Sequence, residues 1–136
     1  MIVADTSALL AFFNASEPAH EAVVDVLSGA STELAISPYV LAELDYLVST
    51  RIGTAAELAM LEELSSGAYE LAAFDGPDLL RARAVVERYS DQQIGLADAS
   101  LVVLAQRYAT RTILTLDHRH FTVLRPLTGG RFTLLP

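Results

Sequence analysis

The segment MIVADTSALLAFF sets a carboxylate, Asp5, between an apolar strand-like run (Ile2-Val3-Ala4) and an apolar helix-like run (Ser7–Phe13). An unpaired carboxylate in such surroundings is costly, so something must hold its charge. A second acid, Asp117, follows the apolar run Ile113-Leu114-Thr115-Leu116 in the same manner. A third, Asp98, shares a helical stripe with Leu101, Val102, Ala105 and Ala109. A fourth, Glu43 in SPYVLAELDYLV, borders the stripe of Val40, Leu44, Leu47 and Val48. Asp45 borders the other side of that stripe, and the helical wheel does not choose between the two. For Asp5 and Asp117 the plain alternative is a helix N-cap, although Thr6 and Ser7 would cap as well as Asp5. For Asp98 it is a first-turn acid complementing the helix dipole, which explains an acid near the start but not one on the buried stripe. Glu43 taken alone reads as a solvated boundary residue.

Taken together the acids argue for a different chemistry. Two carboxylates about 5 Å apart repel by roughly 3 kcal/mol at an effective dielectric near 20. Four that converge would raise one another's pKa values or strain the fold. A hard divalent cation such as Mg²⁺ or Mn²⁺, which takes oxygen ligands, removes the conflict.

Such acids need a frame that brings strand ends together. Strands are expected at Ile2–Asp5, Leu34–Ser37, Tyr69–Phe74 and Thr112–Leu116, with one or two edge strands at Phe121–Leu124 and Phe132–Leu135. Between them the pattern predicts helices from Thr6, at Glu17–Leu27 with Pro18 in the first turn, and at Pro38–Arg51 behind the N-cap Ser37, with Gly53 just beyond its end. Further helices are expected at Ala55–Leu64, Asp78–Tyr89 and Leu96–Tyr108. Strands alternating with helices imply an α/β fold: a mostly parallel central sheet of about five strands, covered on both faces. Ligands of such sheets gather at the carboxyl ends of the strands, where Asp5 and Asp117 fall.

Composition narrows the class. The 136 residues are expected to form a single domain, 1–136, and 52% of them are hydrophobic. Mean hydropathy is +0.38, which excludes a disordered chain. Asp5 interrupts the first apolar run and no basic start precedes it, which argues against a signal peptide. No apolar stretch approaches bilayer length, so a soluble protein without membrane contact is expected. The absence of cysteine removes disulfides and thiolate metal sites and suits a reducing cytoplasm. Net charge is −8, distributed unevenly: residues 1–80 carry 13 acids and one base, whereas residues 81–136 carry 4 acids and 8 arginines. The acidic total argues against nucleic acid as a partner. The Arg-rich end offers forked donors suited to phosphate or carboxylate.

The ordered set Asp5-Thr6-Ser7, Glu43, Asp98 and Leu114-Thr115-Leu116-Asp117 followed by His118-Arg119-His120-Phe121 resembles the PIN domain, and more narrowly the VapC-type toxins of bacterial toxin–antitoxin pairs. The resemblance spans essentially the whole chain and implies a three-layer α/β/α fold. It also implies an endoribonuclease using one or two Mg²⁺ or Mn²⁺ ions, with Asp5, Glu43, Asp98 and Asp117 as the acidic quartet. Thr115, Thr6 and Ser7 match the accessory hydroxyls, and Asp91 is a candidate assistant. The implied substrate is tRNA or rRNA, with Arg119, Arg125 and Arg131 as candidate phosphate contacts. A homodimer and a VapB-type antitoxin are the implied protein partners.

Three rival readings stand beside this one. His118 and His120 would suit a metal-independent, histidine-based ribonuclease, but residues two apart do not face each other on a helix, and His20 is distant in sequence. Phosphoryl transfer onto Asp5 wants a lysine, and the chain has none. A non-catalytic PIN-like interaction module is the alternative that the intact quartet argues against.

Overall fold

The computed structural model describes residues 1–136. Five short strands form one sheet in the order β3-β2-β1-β4-β5, and every neighbouring pair is parallel. They are β1 (Ile2–Ala4), β2 (Leu34–Ile36), β3 (Glu70–Leu71), β4 (Thr112–Leu114) and β5 (Thr133–Leu135). The helices are α1 (Thr6–Phe13), α2 (His20–Gly29), α3 (Pro38–Arg51), α4 (Thr54–Leu64), α5 (Gly76–Arg88), α6 (Leu96–Arg107) and α7 (His118–Val123), with a 3-10 turn at Ser90–Gln92. The chain runs outward from β1 through β2 to β3, then crosses back to β4 and β5 on the other side. With right-handed crossovers this reversal puts α1–α4 on one face and α5–α7 on the other. The point of reversal lies between β1 and β4, whose carboxyl ends bear Asp5 and the segment Thr115–Asp117.

The central strands are almost wholly apolar, Thr112 at the start of β4 excepted, because both of their faces are covered: Val3, Ala4, Ile113 and Leu114 are fully buried. Helix α6 is buried on nearly every side, with all seven residues from Ala99 to Ala105 inside, and it packs on β1, β4, α3 and α5. Its one internal hydroxyl, Ser100, donates to the Ala97 carbonyl at 2.6 Å and sits 2.7 Å from the hydroxyl of Ser37. Ser100 spends its only proton on Ala97, so Ser37 donates to Ser100 and accepts from the Tyr39 N–H as N-cap of α3. This buried link ties the start of α3 to the start of α6, the helices that carry Glu43 and Asp98.

Several expected boundaries move. Helix α2 begins at His20, because Glu17 and Pro18 are used in a turn closed by the Glu17 N–H on the Asn14 carbonyl and the His20 N–H on the Glu17 carbonyl. The Tyr69–Phe74 strand shrinks to Glu70–Leu71, the edge position beyond β2. The segment Phe121–Leu124, whose β-branched residues suggest a strand, instead belongs largely to α7. Asp117 caps that helix through a bond from the His120 N–H, and Phe121 fills the core from it. The mostly parallel sheet is wholly parallel, because β5 also runs with β4. Ala109 leaves the α6 stripe: it lies beyond the helix, exposed, with a left-handed backbone.

Candidate active site

Asp5 sits one residue past β1 and continues the sheet, its N–H donating to the Leu114 carbonyl at 2.9 Å. It holds the N-cap position of α1 but its side chain caps nothing. Instead one carboxylate oxygen, Oδ2, accepts from the Ser7 hydroxyl at 2.7 Å and from the Thr115 hydroxyl at 2.8 Å. Those hydroxyls are themselves fixed from the other strand: Ser7 Oγ accepts from the Leu116 N–H and Thr115 Oγ1 from the Asp117 N–H, each at 2.9 Å. Thr115 is fully buried. The network locks the Asp5 carboxylate in rotation and turns Oδ1 away from any partner within the chain.

Asp5 lines a cleft of 440 Å³ at the point where the strand order reverses. Asp5, Glu43, Asp98 and Asp117 all line it. Thr6 lines it as well, its buried hydroxyl oxygen having no hydrogen-bond partner. The acids feel one another. Burial, then the charges of Asp5, Asp117 and Glu43, push the Asp98 carboxyl up to about 6, with His120 opposing them in part. His120 Nδ1 lies 2.9 Å from Asp117 Oδ2 and 3.3 Å from Asp98 Oδ2. An ionised carboxylate can only accept, so the proton of the ring belongs on that nitrogen.

The ambiguity between Glu43 and Asp45 is resolved by α3. Glu43 opens onto the cleft, whereas Asp45 turns toward α4, where it raises the pKa of Glu57. Two cleft residues were not anticipated as part of the acidic site. Arg51 lines it and makes no salt bridge; with Glu43 and Leu47 it forms a row of four-residue steps along α3, a spacing the sequence displays. His120 follows Asp117 by three residues on α7 and so faces it. Other candidates fall elsewhere. Asp91 and Arg119 line a smaller neighbouring cleft, Arg125 donates to the Thr122 carbonyl, and Arg131 is exposed outside both clefts.

Apart from the His120 imidazole, the donors on the cleft are oxygens: carboxylates on four separate elements and one orphaned hydroxyl. An oxygen-dominated set of this kind fits a hard divalent cation better than a soft one. No three of these side chains stand close enough together to form a ready-made metal cluster.

A wholly parallel sheet with acids gathered at its point of reversal is the architecture of PIN domains, and this chain belongs to that family: the PIN domain model matches residues 2–125. Its kinship within the family is with the VapC group. The chain is 57% identical over 135 residues to Ribonuclease VapC26 of Mycobacterium tuberculosis (strain ATCC 25618 / H37Rv), covering 99% of this chain and 100% of that one. Its fold matches Mycobacterium tuberculosis VapC20, described as a Sarcin-Ricin loop cleaving toxin, with a TM-score of 0.81 at 19% identity, over 87% of this chain and 91% of that one. A toxin–antitoxin complex from Klebsiella pneumoniae matches with a TM-score of 0.71 at 18% identity, over 91% and 92% of the two chains. No helix is long and apolar enough to cross a membrane.

Proposed function

We propose that this chain is a Mg²⁺- or Mn²⁺-dependent endoribonuclease of the VapC type, a toxin that cleaves RNA of the translation machinery and is silenced by a VapB-type antitoxin. The observation that carries the reading is the convergence of Asp5, Glu43, Asp98 and Asp117 on one cleft whose only guanidinium is that of Arg51. Relatives support it: a protein 57% identical is named a ribonuclease, and a structural neighbour is described as cleaving the Sarcin-Ricin loop.

In this reading the four carboxylates, with the Thr6 hydroxyl beside them, hold one or two ions. When bound, the ion lowers the pKa of a water and neutralises charge on the phosphate under attack. The rest is the work of the chain. Ser7 and Thr115 fix the Asp5 carboxylate so that Oδ1 is presented in one orientation. His120 bridges Asp98 and Asp117 and keeps two acids of different helices in register. Arg51 supplies a guanidinium to a neighbouring phosphate of the RNA. The protein is proposed to act as a single unit, 1–136, in the cytoplasm and as a homodimer. Exposed apolar side chains on the α3–α4 pair, Tyr46, Ile52, Leu58 and Leu61, supply surface for protein partners.

Purified protein incubated with total bacterial RNA tests the reading. A few discrete cuts that need Mn²⁺ or Mg²⁺, and that vanish with chelator and in Asp98→Asn, are expected. Cleavage that survives the chelator would move the chemistry to the histidines. No cleavage from folded, antitoxin-free protein with any metal would leave an interaction module.

A further inference from the structure

A second cleft, of 210 Å³, adjoins the acidic one and is lined by Asp91, Gln92, Gln93, Arg119 and His120. His120 is common to both clefts. No apolar side chain lines the second cleft, and all of its residues except His120 are exposed. Its side chains are barely engaged with one another. The one contact among them is a long hydrogen bond, 3.4 Å, from the Gln92 amide to Asp91, and the Gln93 amide bonds to nothing in the chain.

The loop that carries the two glutamines is held firmly. Gln93 has a left-handed backbone, φ 54° and ψ 38°, a conformation disfavoured for a side chain of its kind. The next residue, Ile94, is buried in the core, and α6 with Asp98 begins two residues later. At the base of the loop, the Tyr89 hydroxyl accepts the Arg125 backbone N–H at 3.2 Å. A disfavoured conformation fixed by its surroundings is a reason to look for function.

The donors and acceptors here form an unusual set: two amides, each both donor and acceptor, a carboxylate that accepts and a guanidinium that donates. With no aromatic ring, the cleft has nothing on which a base could stack. It has what reads a base edge, since amides pair bidentately with adenine and guanidinium with guanine. Specific recognition of single-stranded RNA uses the same edges. The volume lies below the roughly 300–1,000 Å³ typical of a site for a whole drug-sized ligand, a scale that suits one base.

We propose that this adjoining cleft binds the base of the nucleotide next to the scissile phosphate, and that Gln92 and Gln93 read its edge and set the sequence preference of cleavage. The inference rests on the ribonuclease reading of the acidic cleft. An RNA strand whose phosphate lies at the four acids places its next nucleotide on one side of them, and the cleft beyond His120 is built to discriminate between bases.

The test is cleavage of a pool of RNA hairpins with randomised loops, in Mn²⁺, by the wild type, Gln92→Ala/Gln93→Ala and Gln93→Asn, with products sequenced and single-turnover rates measured. Both positions are exposed, and circular dichroism checks that each variant is folded. The wild type is expected to prefer one base at one position beside the cut. The double variant should lose that preference about ten-fold or more, cutting the favoured sequence more slowly and the others at unchanged rates. Gln93→Asn, which keeps the amide, should retain part of the preference. A wild type with no base preference, or a double variant with the wild-type preference, overturns the inference while leaving the ribonuclease intact. A wild type that cuts no RNA overturns both.

Discussion

Helix α6 carries a charged group at each end, and the two ends treat charge in opposite ways. At its C-terminus Arg107 reaches Asp78 of α5 at 2.6 Å and also donates to the Ala73 carbonyl at 2.7 Å, while Arg81 approaches Asp78 from its own helix at 3.2 Å. The Asp75 N–H, then Arg107, hold the Asp78 carboxyl below its ordinary range. At the N-terminus Asp98 is partly buried among three other acids with only a histidine in contact, and it is pushed up to about 6. The chain possesses the means to neutralise a buried acid and uses them at Asp78. At the cleft no arginine meets Asp98, and in the proposed function a divalent cation takes that place.

The comparison breaks most sharply under removal of a charge at each end. Asp5→Asn is expected to lower metal-dependent RNA cleavage by more than about 10²-fold, beyond the loss typical of a residue that only supports a metal ligand. Asp78→Asn should leave cleavage nearly unchanged and lower the melting temperature instead. If Asp78→Asn proved as damaging to catalysis as Asp5→Asn, the two ends would not differ as described.

Stability against pH reads the contrast with opposite signs. Asp98 is raised, so the folded metal-free protein binds more protons than the unfolded chain between about pH 4 and 6. Stability from this group is present below that window and falls by up to about 3 kcal/mol as pH rises through it. Asp78 is lowered, so its contribution is present above the ordinary carboxylate range and is lost as pH falls. Melting curves in chelator from pH 3 to 8 should show Asp98→Asn flattening the upper slope and Asp78→Asn the lower one.

Smaller effects sharpen the picture of the cleft. Thr115→Val removes the donor that fixes Asp5 and the acceptor of the Asp117 N–H. It is expected to weaken metal affinity or cleavage by about 10–100-fold, with metal binding followed by calorimetry. Arg51→Gln should raise KM several-fold, leave kcat close to wild type and reduce the salt slope of RNA binding by about one, a split that a purely structural arginine would not give.

Much of this site was legible before the fold was. Asp5 and Asp98 stand out because an acid interrupts an apolar strand–helix junction or an apolar helical stripe, and tertiary structure cannot hide that conflict. Glu43 was harder, because a helical wheel reports a face but not which neighbour the face meets; only the packing of α3 separates it from Asp45. Arg51 and His120 were missed as cleft residues for a related reason. Their spacing from Glu43 and Asp117 was visible, yet nothing local marks a surface arginine or histidine as facing a cleft. The strand expected at Phe121–Leu124 failed because β propensity is weak against tertiary context. A capped turn of helix there carries Phe121 into the core.

The central claim, that the chain leaves its cleft acids for a divalent cation, is tested most directly by titrating Mn²⁺ into the metal-free protein by calorimetry at pH 6 in buffers of different ionisation heat. Saturable binding that releases a fraction of a proton, supplied by Asp98 near its raised pKa, is predicted for the wild type. Binding should be greatly weakened in Asp98→Asn. Absence of binding in the wild type, or equal binding without proton release in Asp98→Asn, would contradict the account.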